Sequence, residues 1–315
     1  MSMSVLNVIQ LIELFVGYIG LTVGLPALVF YRKVKGFPAP ERFLIYFTIG
    51  NFYCINLVQL LELFHISYFL TLFIFTFGPA VWLMVRFYNI PVIPYIKKVA
   101  DEVAHYIQRE IGFKTFVRHR WQEIKVFLRF VFRNVWRLLK ENYMVLPLVA
   151  IFTVLVWSIC GSGILNNWGF GASDIPVHNY WINGLIDNNI YIAGIYPMGM
   201  HCMLYYLSVM LNIPVYVTLR LFWYVQFAMI AVMLLLFLRC FCKNKFLPYI
   251  GVMMFVGAEF FVGISYSRYS ATLPQEFGML YILPSIIFLI NFFKERNAEL
   301  ISGVNLIRCR STWYL

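Results

Sequence analysis

Along this chain, apolar residues gather into long runs divided by short polar or basic stretches. Such runs mark bilayer-crossing helices rather than the interrupted periodicity of a soluble core. They fall at about 5–31, 43–63, 68–88, 143–163, 216–238, 247–265 and 277–293. Each is near the ~20 residues a helix needs to cross ~30 Å of hydrocarbon. The pattern predicts an all-α polytopic membrane protein with about seven transmembrane helices. One further run, Met198–Leu211, is bounded by Pro197 and by Asn212-Ile213-Pro214 and is too short to cross. It predicts a helix lying in the membrane interface, within a large structured loop over 164–215 that holds at least two short interfacial helices.

Composition agrees with the pattern. The chain is 62% hydrophobic and only 12% charged, outside the range of soluble domains. A net charge of +11 raises the question of nucleic acid, but a chain mostly inside lipid has little surface to offer a duplex. No nucleic-acid partner is expected, and the positive charge is read as topology and attraction to anionic membrane lipids. The six cysteines show no metal-binding spacing, and Cys240-x-Cys242, at a basic helix end, reads as structural. The first residues, MSMSVLNVIQ, lack the basic region and cleavage site of a removable signal, so the first helix is expected to stay as an anchor.

Charge placement orients the spans. Of 25 lysines and arginines, 23 fall in four stretches, 32–42, 86–140, 239–245 and from Lys294 onward, while 142–219 holds none. Basic residues stay cytoplasmic. The N-terminus is therefore expected outside and the C-terminus in the cytoplasm, with loops 164–215 and 266–276 on the outer face. Arg220 and Arg268 are the exceptions, and a cation held where topology disfavours it is a candidate for function. Three regions follow: a three-helix membrane region at 1–92, a cytoplasmic amphipathic segment at 93–142, and a membrane module at 143–315. In the middle region Lys125, Arg129, Arg133 and Arg137 recur every four residues, with Phe127, Phe130, Val131, Val135 and Leu138 on other faces. Like charges at this spacing repel. A helix lying on anionic lipid would offset that repulsion, and a plain cytoplasmic connector is the other reading.

The outer loops hold the candidate chemistry. Asp174 and His178 stand one turn apart at the start of a predicted helix, an acid and an imidazole suited to general-base work; a simple helix cap is the other reading of Asp174. Tyr196-Pro197-Met198-Gly199-Met200-His201 opens the short helix, where His201 suits a pocket or an interfacial hydrogen bond. The second loop supplies Arg268, Gln275 and Glu276, the last also placed to favour a helix dipole. Glu13, Glu62 and Glu259 lie inside apolar runs, where carboxylates are functional candidates by default. Glu259, nearest the outer loops, is expected to face their cavity. Trp168 and Trp181 are read as interface anchors or as a sugar platform.

The ordering of these residues resembles the opening of a GT-C superfamily glycosyltransferase. It runs from a span to Asp174-x-x-x-His178 entering a short helix, then Tyr196-Pro-x-Gly-x-His201, another interfacial helix and a span ending in basic residues. The resemblance covers roughly 143–294. It implies a sugar donor linked to a polyprenyl phosphate, with Asp174 as base or acceptor-orienting group and Glu276 as the second acidic residue. Arg268 would receive the leaving phosphate, and His178, Tyr196, His201, Gln275 and Glu259 would line the substrate site. No ligand cluster indicates a metal, and nothing in the sequence supports a divalent ion bridging Asp174 and Glu276. Such enzymes have more spans beyond this point, and the chain closes abruptly at Cys309–Leu315, so it reads as a truncated form. A transporter, a non-catalytic scaffold or an inactive fragment are the alternatives.

Overall fold

The computed structural model describes residues 5–88, 174–192, 194, 196–242, 244, 246–262 and 271–302, with single positions between 100 and 129; for 258–262 and 294–302 it describes the backbone alone. Among the described residues helix accounts for 85% and no strand occurs. The chain divides into two compact units, 1–87 with 155–315, and 88–154.

In the first unit, α1 (Val5–Ile19) passes through a π turn (Gly20–Gly24) into α2 (Leu25–Val34), giving one 30-residue apolar rod. The cause of the π turn is local. Pro26 has no N–H to close an α bond back to Thr22, and the Leu25 N–H instead reaches the Gly20 carbonyl. Helix α3 (Ala39–Leu63) follows, and α4 (Phe69–Tyr88) comes after the turn at 64–68. Arg32 Nη1 donates to the Phe87 carbonyl at 3.4 Å, and Lys33 Nζ stands 5.0 Å from the Phe87 ring, so the basic ends of α2 and α4 meet. Next come α5 (Ile175–Ile186), α6 (Gly199–Leu211), α7 (Val215–Phe241), α8 (Leu247–Val262) and α9 (Pro274–Ser302).

Five of these segments are long and apolar enough to cross a membrane: Val5–Val34, Ala39–Leu63, Phe69–Tyr88, Val215–Phe241 and Pro274–Phe293. The run expected at 247–265 forms the 16-residue α8. The run expected at 143–163 lies outside the described residues.

Helix α6 is the centre of the packing in this unit, with all residues from Met200 to Ser208 buried among α1, α3, α5 and α7. The reason is compositional: a helix apolar on every face has no side to turn to water, and the driving force buries it whole. Around it a chain of rings links α1, α3, α7 and α9. Tyr18 meets Phe222 edge-on at 5.2 Å and Phe47 at 6.2 Å, Phe47 meets Tyr281 at 6.0 Å, and Phe277 meets Tyr281 at 5.5 Å. The aromatic richness therefore fills the core as well as the boundary.

Two devices set the helix positions. At Gly50 the backbones of α3 and the π turn nearly touch, and a Cβ there would lie 2.2 Å from the Thr22 carbonyl oxygen. Beside that contact Tyr18 Oη donates to Asn51 Oδ1 at 3.0 Å, and Asn51 Nδ2 donates to the Phe47 carbonyl at 2.8 Å. The second device is a shared ending. Helices α3, α5 and α6 stop at His65, Asn188 and Asn212, all left-handed with φ of 55°, 53° and 53°. Each is followed by a bond from the next N–H five residues back: Ile66 to Leu61, Asn189 to Gly184, and Ile213 to Ser208, all at 3.0 Å. Asparagine tolerates this conformation better than most side chains, which is why it closes two of the three.

In the second unit, described positions including Trp121, Lys125 and Arg129 are helical, and all three are exposed. Lys125 Nζ lies 5.7 Å from the Trp121 ring, an i, i+4 cation–π contact. Arg133 and Arg137, the rest of the basic row, lie outside the described residues.

Candidate functional site

Asp174 occupies the position before α5, and Pro176 sits in the first turn, where its missing N–H costs nothing. The Asp174 side chain is exposed and does not cap the helix; its carbonyl accepts the His178 N–H at 3.1 Å. One turn in, His178 points into the protein and is 6% exposed. There it meets His201 of α6, which is fully buried: His178 Nδ1 and His201 Nε2 share a hydrogen bond of 3.0 Å. Trp181 and Tyr196 wall the pair. Trp181 lies 5.3 Å from His178, 5.4 Å from His201 and 4.7 Å from Tyr196, and Tyr196 lies 5.7 Å from His201.

Burial sets the charge of the pair. It pushes the His201 imidazole down to about 3, with His178 acting in the same direction. Burial also lowers His178, opposed by the nearby Asp174 carboxylate. Both rings are neutral near pH 7, so one nitrogen donates and one accepts. His201 Nδ1 has no hydrogen-bond partner. An orphaned acceptor is less costly than an orphaned N–H. His201 therefore carries its proton on Nε2 and donates to His178 Nδ1. Such a pair is a poor base at neutral pH. Its two engaged nitrogens position α5 on α6, while Asp174, exposed one turn away, is the group a substrate can reach.

Of the residues read as a substrate site, the structure brings His178, Tyr196 and His201 together, with Trp181 as a wall. Glu276 lies in the first turn of α9 and is 7% exposed, with the exposed Gln275 beside it. The start of α9 is tied to α7 by Thr272 Oγ1, which donates to the Leu219 carbonyl at 2.7 Å. Glu259 falls in α8, with its side chain outside the described residues, as is all of Arg268. Among the described residues no group of three or more His, Cys, Asp or Glu side chains stands together as metal ligands would.

Sequence reasoning missed a second polar cluster, where the α3–α4 turn docks on the end of α5. Ser67 N–H donates to Asn188 Oδ1 at 3.0 Å, His65 Nδ1 bonds the Asn188 carbonyl at 2.8 Å, and Tyr205 Oη donates to the Ser67 carbonyl. The one available signal was the Asp187-Asn188-Asn189 run, in which an asparagine suits a left-handed helix end. Asn188 therefore has two tasks, and substitutions separate them. Asn188→Gly keeps the backbone freedom and loses the side-chain bridge, a cost of about 1 kcal/mol. Asn188→Ala loses both and should cost about 1–2 kcal/mol more. Melting temperatures in detergent should rank wild type above Gly above Ala.

No known protein family matches the chain, and neither a curated protein nor a solved structure is similar to it. What the fold defines is a class: a helical protein with several membrane-length apolar helices, in keeping with a multi-pass membrane protein.

Proposed function

We propose that this chain is a membrane glycosyltransferase of GT-C type, acting on the outer face of a cell membrane. The observation that carries the reading is the α5–α6 pair, in which an exposed Asp174 is held one turn from a buried, neutral His178–His201 couple walled by Trp181 and Tyr196. In this reading seven helices cross the membrane, with the N-terminus outside and the C-terminus in the cytoplasm. Asp174 takes the proton from an acceptor hydroxyl, whose oxygen attacks the anomeric carbon of a sugar carried on a polyprenyl phosphate. The bond from that carbon to the phosphate oxygen breaks, and the lipid phosphate leaves with its charge on Arg268, a guanidinium suited to phosphate oxygens. Glu276 is the second carboxylate. Gln275, Glu259, Tyr196, His178 and His201 shape the substrate site, and the basic row from Lys125 rests on anionic lipid.

The test is transfer of labelled sugar from a panel of polyprenyl-phosphate donors by membranes containing the full chain. Asp174→Asn should lower transfer about 100-fold or more, the range lost with a general base, while insertion is unchanged. Transfer retained in Asp174→Asn removes that residue from the mechanism. Absence of transfer from every donor by the wild type sinks the reading. A second reading, a transporter, draws support from the buried Glu62 within a span. Its test is solute uptake by proteoliposomes.

A further inference from the structure

The last turn of α3 carries a carboxylate in an adverse place. Glu62 is fully buried, and neither Oε1 nor Oε2 has a hydrogen-bond partner. It stands at a helix C-terminus, where the backbone dipole already presents partial negative charge. Five residues on, Ser67 is also fully buried. Its N–H is committed to Asn188 Oδ1 and its carbonyl to Tyr205, while Oγ has no partner. The groups that bear on Glu62 are Ser67 and His65 on its own turn, and Cys202 and Tyr205 on α6.

An ionised carboxylate cannot stay bare in such surroundings, because an unpaired buried charge costs several kcal/mol. The unpartnered atoms at this turn, the two Glu62 carboxylate oxygens and Ser67 Oγ, are all oxygens, which suit a hard cation. A single carboxylate balances a single positive charge, so a divalent ion would leave the enclosure charged. We propose that Glu62 and Ser67 form a binding site for one hard monovalent cation, a proton or a sodium ion, which closes the seam between the α3–α4 turn and the α5–α6 segment. This site stands independently of sugar transfer. Its occupancy is linked to the seam because the same turn holds Asn188 and Tyr205, so loss of the cation loosens the contact of α3–α4 with the segment that carries His201.

The test uses the full chain in detergent. Its melting temperature is followed as sodium chloride replaces choline chloride at constant ionic strength, and separately as pH rises from about 4 through neutral in sodium-free buffer. The histidine pair acts alike in wild type and Glu62→Gln, so the carboxyl is read from the difference between their curves. A rise of a few degrees with sodium identifies sodium as the occupant. A fall of that difference with rising pH, and no response to sodium, identifies the proton. In either case Glu62→Gln abolishes the response, and Ser67→Ala weakens the apparent affinity several-fold or shifts the pH midpoint. The proposal is overturned if sodium does not move the wild type and the two pH curves run parallel, or if a sodium response survives unchanged in Glu62→Gln. It is equally overturned if the response vanishes only in His65→Asn, which would put the charge on the imidazole. Should Glu62→Gln yield no folded protein, Ser67→Ala decides alone, and an unaltered affinity or midpoint sinks the site.

Discussion

Gly50→Ala is expected to abolish the monodisperse folded protein or lower its melting temperature steeply. The added methyl carbon would sit 2.2 Å from the Thr22 carbonyl oxygen and 2.6 Å from its carbonyl carbon, and the opposing atoms are backbone. No rotamer relieves that. Helix α3 must move away from the π turn, and the movement also strains the buried Tyr18–Asn51 bond. Overpacking of this kind costs about 1–3 kcal/mol, and stranding a buried polar partner adds about 1–3 more. Against a total stability of roughly 5–15 kcal/mol, that is a large share. Gly78→Ala in α4 is the control. An added Cβ there meets nothing within 4 Å, so the change should be neutral or slightly stabilising. Size-exclusion profiles and melting curves read both, and a Gly50→Ala protein that melts with the wild type would show that the close approach carries no weight.

The second large effect is acid sensitivity from the histidine pair. Burial takes His201 from its ordinary 6.5 to about 3. A base so depressed gains its proton only on unfolding, so protons favour the unfolded state below pH 6.5, and the effect levels off near pH 3. In that window each pH unit removes about 1.4 kcal/mol, so going from pH 6.5 to pH 5 costs about 2 kcal/mol from His201 alone. His178, lowered as well, adds in the same direction. Melting temperature should therefore fall on acidification, and the slope should shrink by about one proton in His201→Gln. An equal slope in that variant would mean that another group takes up the proton. A protonated Glu62 would pull the opposite way from about pH 4 upward, offsetting part of the histidine slope in wild type and leaving that slope unmasked in Glu62→Gln.

How much of this was legible beforehand follows the range of each interaction. The long spans follow from uninterrupted apolar runs, since hydrophobic burial needs only local composition. Asp174 and His178 are one turn apart because helical spacing is local too. The partner of His178 is 23 residues away, and the bonds of His65, Ser67 and Tyr205 across the second cluster link residues 121–138 apart in sequence. No periodicity encodes those contacts. Length alone kept Met198–Leu211 from being read as a span, and it could not say how deeply the helix packs among its neighbours; the apolar residues on every face carry that. Glu62 and Glu259 look alike as carboxylates in apolar runs, and only packing shows that Glu62 is enclosed. The π turn, by contrast, has its cause in one residue, Pro26.

The enclosure of α6 has a consequence for biogenesis. Its walls are α1 and α3, made earlier, and α5 and α7, of which α7 leaves the ribosome only afterwards. A nascent chain arrested after Leu211 carries a thirteen-residue greasy segment with one wall still untranslated, and it should be held by the insertion machinery or by a chaperone until α7 emerges.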